Sequence, residues 1–184
     1  MSEKIKKEII ELIKTIIICC ILVYIISTFF AKTVKVSGDS MYPTLEDKEF
    51  GITNVFSAKY LDIDRFDIVI VYIDELDEYW VKRVIGLPGE TISYHDDVLY
   101  INHEPVEEPF LDKNYVQEQL QLYDEFTFSF DDVTLKENEY FLMGDNRPKS
   151  TDSRIFEVGP FTRDQIVGKN MFILYPFNKI KIAN

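Results

Sequence analysis

The stretch Val36-Ser37-Gly38-Asp39-Ser40-Met41-Tyr42-Pro43-Thr44-Leu45 organises the rest of the chain, and it closely follows a long apolar segment. It begins as the end of a strand and runs into a tight turn. Gly38 permits a positive φ or a close backbone approach, and Pro43 fixes φ just past Ser40. A serine on such a turn can present both its hydroxyl and its own N–H. Ordinary loops share this composition, so the stretch alone leaves both interpretations open.

The apolar segment before the turn carries no charge from Thr15 to Ala31. With its flanks it approaches the ~20 residues that span a bilayer. Lysines precede it, so the positive-inside rule assigns residues 1–14 to the cytoplasm and the chain beyond the span to the outside. A cleavable signal peptide would need small residues at −3 and −1, but Phe29 falls at −3. A core helix of a soluble protein would need a polar face, which is missing. We predict an uncleaved transmembrane anchor at residues 15–31.

Charge and composition exclude several function classes. The formal net charge is −12, which argues against a nucleic-acid partner because phosphates would be repelled. Cys19 and Cys20 are the only two cysteines and are adjacent within the apolar segment, so no disulfide framework is expected. His95 and His103 lack cysteine or spaced carboxylate partners, and we therefore expect no metal and no cofactor.

Beyond Ala31 the pattern changes to short strands separated by Gly and Pro turns. Apolar or alternating runs rich in β-branched and aromatic residues predict strands at 33–36, 65–72, 79–85, 91–94, 98–101, 126–130, 140–143 and 170–175. Outside the anchor, only Asp112–Asp124 could form a helix, and it could equally be a mobile insertion. We predict an all-β fold: a coiled mixed β-sheet domain over residues 32–184, preceded by one transmembrane helix.

A serine hydroxyl is a weak nucleophile until a base takes its proton. Histidine is the usual base, but His95 and His103 fall in the predicted hairpin among acidic neighbours and are interpreted as surface residues. A lysine can act as the base if burial lowers its pKa by several units. Lys82 has mostly apolar neighbours, and on a strand Lys82 and Arg83 point to opposite faces. Taken alone, a lysine in a strand is also commonly a solvated edge residue.

Three stretches, in this order, resemble the motif set of type I signal peptidases, the membrane-anchored Ser–Lys proteases that remove signal peptides. They are the Ser40 turn, then Tyr79–Glu90, then Gly144-Asp145-Asn146-Arg147-Pro148-Lys149-Ser150-Thr151-Asp152-Ser153-Arg154. The resemblance covers most of the chain and is to the short, Gram-positive-like form. It implies a signal-peptidase-like catalytic domain.

The resemblance also implies a role for each matched residue. Ser40 would be the nucleophile, Lys82 the general base, and Ser150 the group that orients the lysine amine. The other matched residues would hold the frame of the site or contact the substrate: Asp145 paired with Arg83, Asp152 paired with Arg154, Met41 in an apolar substrate pocket, and Trp80 on its wall.

Two positions depart from the family's pattern. Some members carry a serine two positions before the nucleophile, and its hydroxyl helps to bind the oxyanion. Gly38 occupies that position here, so the Ser40 N–H remains as one donor and the second donor stays open. Trp80 stands where Tyr is frequent. Neither departure removes the Ser40–Lys82 pair, and we expect an active enzyme.

The resemblance implies a membrane-bound, extracytoplasmic endopeptidase for signal peptides of secreted preproteins. We also expect the lipid bilayer as a partner and a monomer. The substrate would have small residues at −3 and −1 and would bind extended against strands. Three alternatives remain open. One is a pilin- or sortase-associated member with a narrow substrate. Another is a catalytically silent anchored binding module. The third is a Ser–Lys autoproteolytic regulator, against which the anchor and the acidic charge count.

Overall fold

The computed structural model describes residues 3–183, except for the side chain of Thr28. Residues 1 and 2 of the predicted N-terminus, and residue 184 of the predicted domain, lie outside the described residues. Helix α1 spans Glu3–Phe29 and is long and apolar enough to cross a membrane. It begins well before Thr15, because the charged start continues the same helix with ion pairs such as Lys14–Glu11. It ends before Ala31, which is already the first residue of strand β1.

Twelve strands follow the helix within the described residues. They are β1 Ala31–Lys35, β2 Phe50–Asn54, β3 Ile68–Ile73, β4 Glu78–Gly86, β5 Thr91–His95, β6 Val98–Ile101, β7 Glu104–Val106, β8 Phe130–Thr134, β9 Glu139–Met143, β10 Phe161–Thr162, β11 Ile166–Tyr175 and β12 Lys181–Ala183. Two short helices, α2 Val55–Tyr60 and α3 Lys113–Gln119, interrupt them. Single 3-10 turns lie at 147–149, 163–165 and 177–179. The prediction of a β domain behind one N-terminal apolar helix is confirmed.

The strands form two sheets. The larger has the order β1-β2-β11-β3-β4-β9-β10, with β12 paired to β11, and the smaller has the order β7-β6-β5-β8. Every pairing among the described strands is antiparallel, which corrects the prediction of a mixed sheet. Short turns join β3 to β4, β5 to β6 and β6 to β7, and a short turn between neighbouring strands can only produce an antiparallel pair.

The predicted strand at Phe126–Phe130 was wrong, because β8 begins only at Phe130. The N–H groups of Phe126 and Thr127 donate instead to the Asp97 carboxylate, at 3.1 and 2.7 Å. Side-chain acceptors of this kind compete with a strand ladder for the backbone donors.

Of the two interpretations of Asp112–Asp124, the helix is correct over the shorter range of α3. Asp112 caps its N-terminus by accepting from the N–H of Tyr115 at 2.8 Å. The sequence analysis missed α2, whose cap is Asn54.

Candidate active site

The turn that carries Ser40 lies between β1 and β2. Gly38 has φ +85°, in the left-handed region, and a Cβ there would meet no atom within 4 Å. Its N–H donates to Asp47 Oδ1 at 3.0 Å, and this contact holds the pKa of Asp47 below its ordinary value. Below the turn, Met41 and Leu45 are buried in an apolar cluster of the larger sheet. The turn is therefore fixed from beneath while Ser40 remains half-buried.

Lys82 lies on β4 and is only 3% exposed. Its Nζ lies 5.5 Å from the centre of the Trp80 ring, on the same face of the strand. Burial lowers the pKa of Lys82 from its ordinary 10.5 to about 8, although the Asp152 carboxylate acts in the opposite direction. The interpretation of Lys82 as a solvated edge residue is therefore wrong.

Ser150 follows the 3-10 turn at 147–149, and its Oγ accepts from Lys82 Nζ at 3.2 Å. Gly144 explains how the serine approaches so closely. A Cβ on Gly144 would lie 2.3 Å from Ser150 Oγ and 2.3 Å from the Ser40 carbonyl oxygen. Only a residue without a side chain can occupy the space between these two segments.

Two ion pairs hold the loop around this centre. Arg83 points away from Lys82 and donates to both oxygens of Asp145, at 2.9 and 2.8 Å, with both side chains buried. Arg154 pairs with Asp152 at 2.8 Å. Burial opposes ionisation of Asp152, but hydrogen bonds from Arg154, Ser150 and the Gly144 N–H hold its pKa below the ordinary value. Both pairs implied by the resemblance are present.

One cleft of about 310 Å³ brings these elements together. Ser40 and Lys82 both line it, together with Gly38, Met41 and Trp80. No direct hydrogen bond joins Ser40 to Lys82 among the described contacts. Catalytic hydrogen bonds are often long before substrate binds, so this geometry is compatible with proton transfer.

The two histidines are exposed on the smaller sheet, in a separate pocket with Asp131 and Asp132. Within the described residues, no group of three or more His, Cys, Asp or Glu side chains could hold a metal ion. The cleft itself brings a serine hydroxyl and a buried lysine amine to one surface.

Sequence reasoning assigned no role to several residues that shape the site. Asn146 is buried, and its N–H donates to the Ser40 carbonyl oxygen at 3.0 Å. Thr44 donates to Asp145, which ties the Ser40 turn to the second motif loop. Asn146 stood in a recognised motif and could have been suspected, whereas nothing in the sequence pointed to its partner Tyr115, 31 positions away.

Comparison with known proteins identifies the family. The family profile described as "Signal peptidase, peptidase S26" matches residues 9–175. The chain belongs to this signal peptidase family.

Individual relatives of this signal peptidase resemble it over nearly its whole length. Signal peptidase I S of Bacillus subtilis is 43% identical over 97% of this chain and 96% of its own. Signal peptidase IB of Staphylococcus aureus (strain COL) is 35% identical over 96% of this chain and 94% of its own. Among solved structures, a signal peptidase I of Enterococcus faecalis V583 aligns with a TM-score of 0.49 and 33% identity, covering 59% of this chain and 96% of that one.

Proposed function

We propose that this signal peptidase cleaves signal peptides from exported preproteins after small residues at −3 and −1, with Ser40 as nucleophile and Lys82 as general base. The observation that carries the proposal is the state of Lys82. Its amine is buried in the same cleft as Ser40, is oriented by Ser150, and has a pKa lowered to about 8. A neutral amine is available at a pH where an ordinary lysine would be almost fully charged.

In the proposed reaction, Ser40 Oγ attacks the scissile carbonyl while its proton passes to Lys82 Nζ. The tetrahedral intermediate collapses, the C–N bond breaks, and Lys82 returns the proton to the leaving amine. Lys82 then takes a proton from water, which attacks the acyl-enzyme and releases the carboxylate. Ser40 is free again when it regains its proton.

The oxyanion of the intermediate needs donors aimed at it. Within the described residues, the Ser40 N–H donates to no protein acceptor, and it is our candidate for the first donor. Gly38 contributes no side chain, but it leaves open space on the cleft side of the turn. That space lets the substrate carbonyl approach the backbone closely.

The cleft lining is partly polar, with Lys35 and Lys149 among its residues, and partly apolar. Its apolar part, formed by Val36, Met41 and Val81, suits short, uncharged substrate side chains. The edge of β1, the segment before the turn and β4 offer backbone groups to an extended peptide, whose main chain would supply affinity while shallow pockets supply specificity. Met41 and Trp80 are the proposed walls of these pockets.

We further propose that α1 spans the bilayer with its N-terminus in the cytoplasm and the β domain outside. Lys4, Lys6, Lys7 and Lys14 precede or open the apolar part of the helix, as expected of a cytoplasmic flank. All proposed catalytic groups come from one chain, so a monomer suffices for activity.

The proposal is tested with a precursor that carries an Ala-x-Ala cleavage site. We expect Ser40→Ala to abolish cleavage while the protein stays folded and inserted. His95→Ala and His103→Ala are the matched controls, and both should leave activity nearly intact. Cleavage by the Ser40→Ala variant would refute the proposal, and a wild type that binds the precursor without cleaving it would instead indicate a binding module.

A further inference from the structure

A segment that connects two strands of the smaller sheet contacts the residues around the active site and has no role in the reaction described above. We call residues 108–119, which connect β7 to the region before β8 and include α3, the strap. Glu108 of the strap pairs with Arg147, and both side chains are buried. The centre of the Phe110 ring lies 4.1 Å from the guanidinium carbon of Arg83. The strap therefore contacts the motif loop and strand that frame the catalytic pair.

Tyr115 of α3 makes the contact of the strap that leads to the Ser40 turn. Its hydroxyl donates to Asn146 Oδ1 at 2.9 Å. The Asn146 amide nitrogen in turn donates to the Asp39 carbonyl oxygen at 2.9 Å, and the Asn146 N–H donates to the Ser40 carbonyl oxygen at 3.0 Å. Hydrogen bonds thus lead from α3 through Asn146 to the two peptide groups that flank the Ser40 Cα.

Because Asn146 and Tyr115 are buried, their hydrogen bond determines the orientation of the Asn146 amide. Asn146 is 1% exposed and Tyr115 is 9% exposed. A buried amide oxygen that loses its donor is costly, because no solvent replaces the missing hydrogen bond. Donation from Tyr115 therefore fixes which end of the Asn146 side chain faces Asp39. Without it, the amide could rotate and present its oxygen to the carbonyl of Asp39, which is repulsive.

The ring of Tyr115 supplies a second contact with the same turn. It packs edge-on against the ring of Tyr42, with centroids 5.0 Å apart and an interplanar angle of 73°. The other face of the turn is open, since Gly38 and Asp39 are exposed. Tyr115 thus adds a contact from the protein side to a turn that Met41 and Leu45 also hold from beneath.

We propose that Tyr115 is a positioning residue for catalysis: through Asn146 it holds the backbone that orients the Ser40 hydroxyl and N–H. The inference rests on the proposed role of Ser40 as nucleophile. It assigns to the acidic segment around α3 a function in the reaction, not merely in connecting two strands of the smaller sheet. Because Tyr115 acts on the attacking group and not on the bound peptide, its loss should slow the chemical step and leave substrate binding intact.

The first test is Tyr115→Phe in the full-length protein, assayed with a short peptide substrate. This variant keeps the ring against Tyr42 and removes only the hydroxyl. We expect kcat to fall by roughly tenfold with KM changed by less than about twofold, because small misplacements of a nucleophile cost rate and not binding. Tyr123→Phe is the matched control, since Tyr123 is an exposed tyrosine just beyond α3. An unchanged kcat for Tyr115→Phe, or a loss confined to KM, would overturn the proposal.

The second test is a double-mutant cycle with Asn146→Ala. If Tyr115 acts through Asn146, the effect of Tyr115→Phe on kcat should largely vanish in the Asn146→Ala background. A full, additive loss in that background would refute the relay. Should Asn146→Ala fold poorly, Asn146→Ser offers a smaller polar replacement for the same cycle.

Two further readouts separate this inference from its alternatives. The ascending limb of the pH profile of kcat/KM should not move in Tyr115→Phe, because Tyr115 does not contact Lys82. A shifted limb would contradict the mechanism.

Ser40→Ala is included in the same assay. If Ser40→Ala is inactive and Tyr115→Phe is fully active, only the present inference fails, whereas an active Ser40→Ala would remove the proposed function itself.

Discussion

Lys82 Nζ donates to Ser150 Oγ over 3.2 Å, across 68 positions of sequence. The serine arrives there because Gly144 leaves room for it beside the Ser40 carbonyl. This contact fixes the orientation of the Lys82 amine, and burial at the same position disfavours the charged form of that amine.

The pH dependence of kcat/KM should report the titration of Lys82. The amine must be neutral to accept a proton, so activity should rise with pH along a limb centred near the lowered pKa of about 8. The measurement is kcat/KM for a short peptide across about pH 6 to 11, which spans that value and the free-lysine value. A limb centred near that of a free lysine would contradict the role of Lys82 as base.

Lys82→Met should be inactive and yet more stable than the wild type at neutral pH. Since the folded-state pKa of about 8 lies below the ordinary 10.5, the unfolded chain binds more protons between these values, and the stability of the wild type rises with pH there. Lys82 therefore lowers the free energy of unfolding by its full amount below about pH 8, and by less as the pH rises above that value. Unfolding of both proteins in detergent should show an advantage of Lys82→Met at pH 7 that narrows as the pH approaches 10.5.

Lys82→Arg is the companion variant, because its guanidinium stays charged and cannot accept the serine proton. It should be inactive at every pH tested. Substantial activity in either Lys82 variant would mean that another group is the base.

Ser150→Ala should impair the enzyme without abolishing its activity. Loss of the orienting hydroxyl leaves Lys82 in place but free to rotate, and we expect kcat to fall by ~10²-fold with KM little changed. The control is Ser129→Ala, whose hydroxyl contacts Glu125 on the surface. Wild-type kcat in Ser150→Ala would show that the 3.2 Å contact has no catalytic role.

Gly144→Ala should remove nearly all activity, since its Cβ would lie 2.3 Å from Ser150 Oγ and from the backbone of Ser40. Displacement of either segment by about 1 Å can cost ~10²-fold in rate. Gly159→Ala is the comparison: Gly159 has φ +62°, but its Cβ would come no closer than 3.9 Å to any atom. It should lose stability only. Equal activity of the two variants would contradict the crowding argument.

Deletion of residues 1–29 should separate catalysis from tethering. The truncation keeps Ala31, which pairs with Asn54 at the edge of the larger sheet. Turnover of short soluble peptides should persist, while processing of membrane-inserted precursors should weaken, because the anchor raises the effective concentration of enzyme and substrate. An equal loss on both substrates would assign α1 a role in folding.

Local patterns in the sequence determined the broad organisation of this protein. An uncharged apolar run predicts a helix long enough for a membrane wherever it occurs, and the alternation of a strand separates Lys82 from Arg83 without knowledge of any other element. Strands β3, β4, β5, β6 and β9 were predicted close to their observed bounds for the same reason. Ser40 and Lys82 were proposed because their short, continuous motifs resemble those of type I signal peptidases.

Tertiary structure alone decided how these pieces work together. Phe126 lost its predicted strand because Asp97, remote in sequence, accepts its N–H. The pKa of Lys82 depends on burial by other elements, and the contact of Tyr115 with Asn146 depends on where α3 lies. Periodicity describes a residue relative to its immediate neighbours. Burial and hydrogen bonding between distant positions arise only when the two sheets and the strap pack together, and no local pattern contains that information.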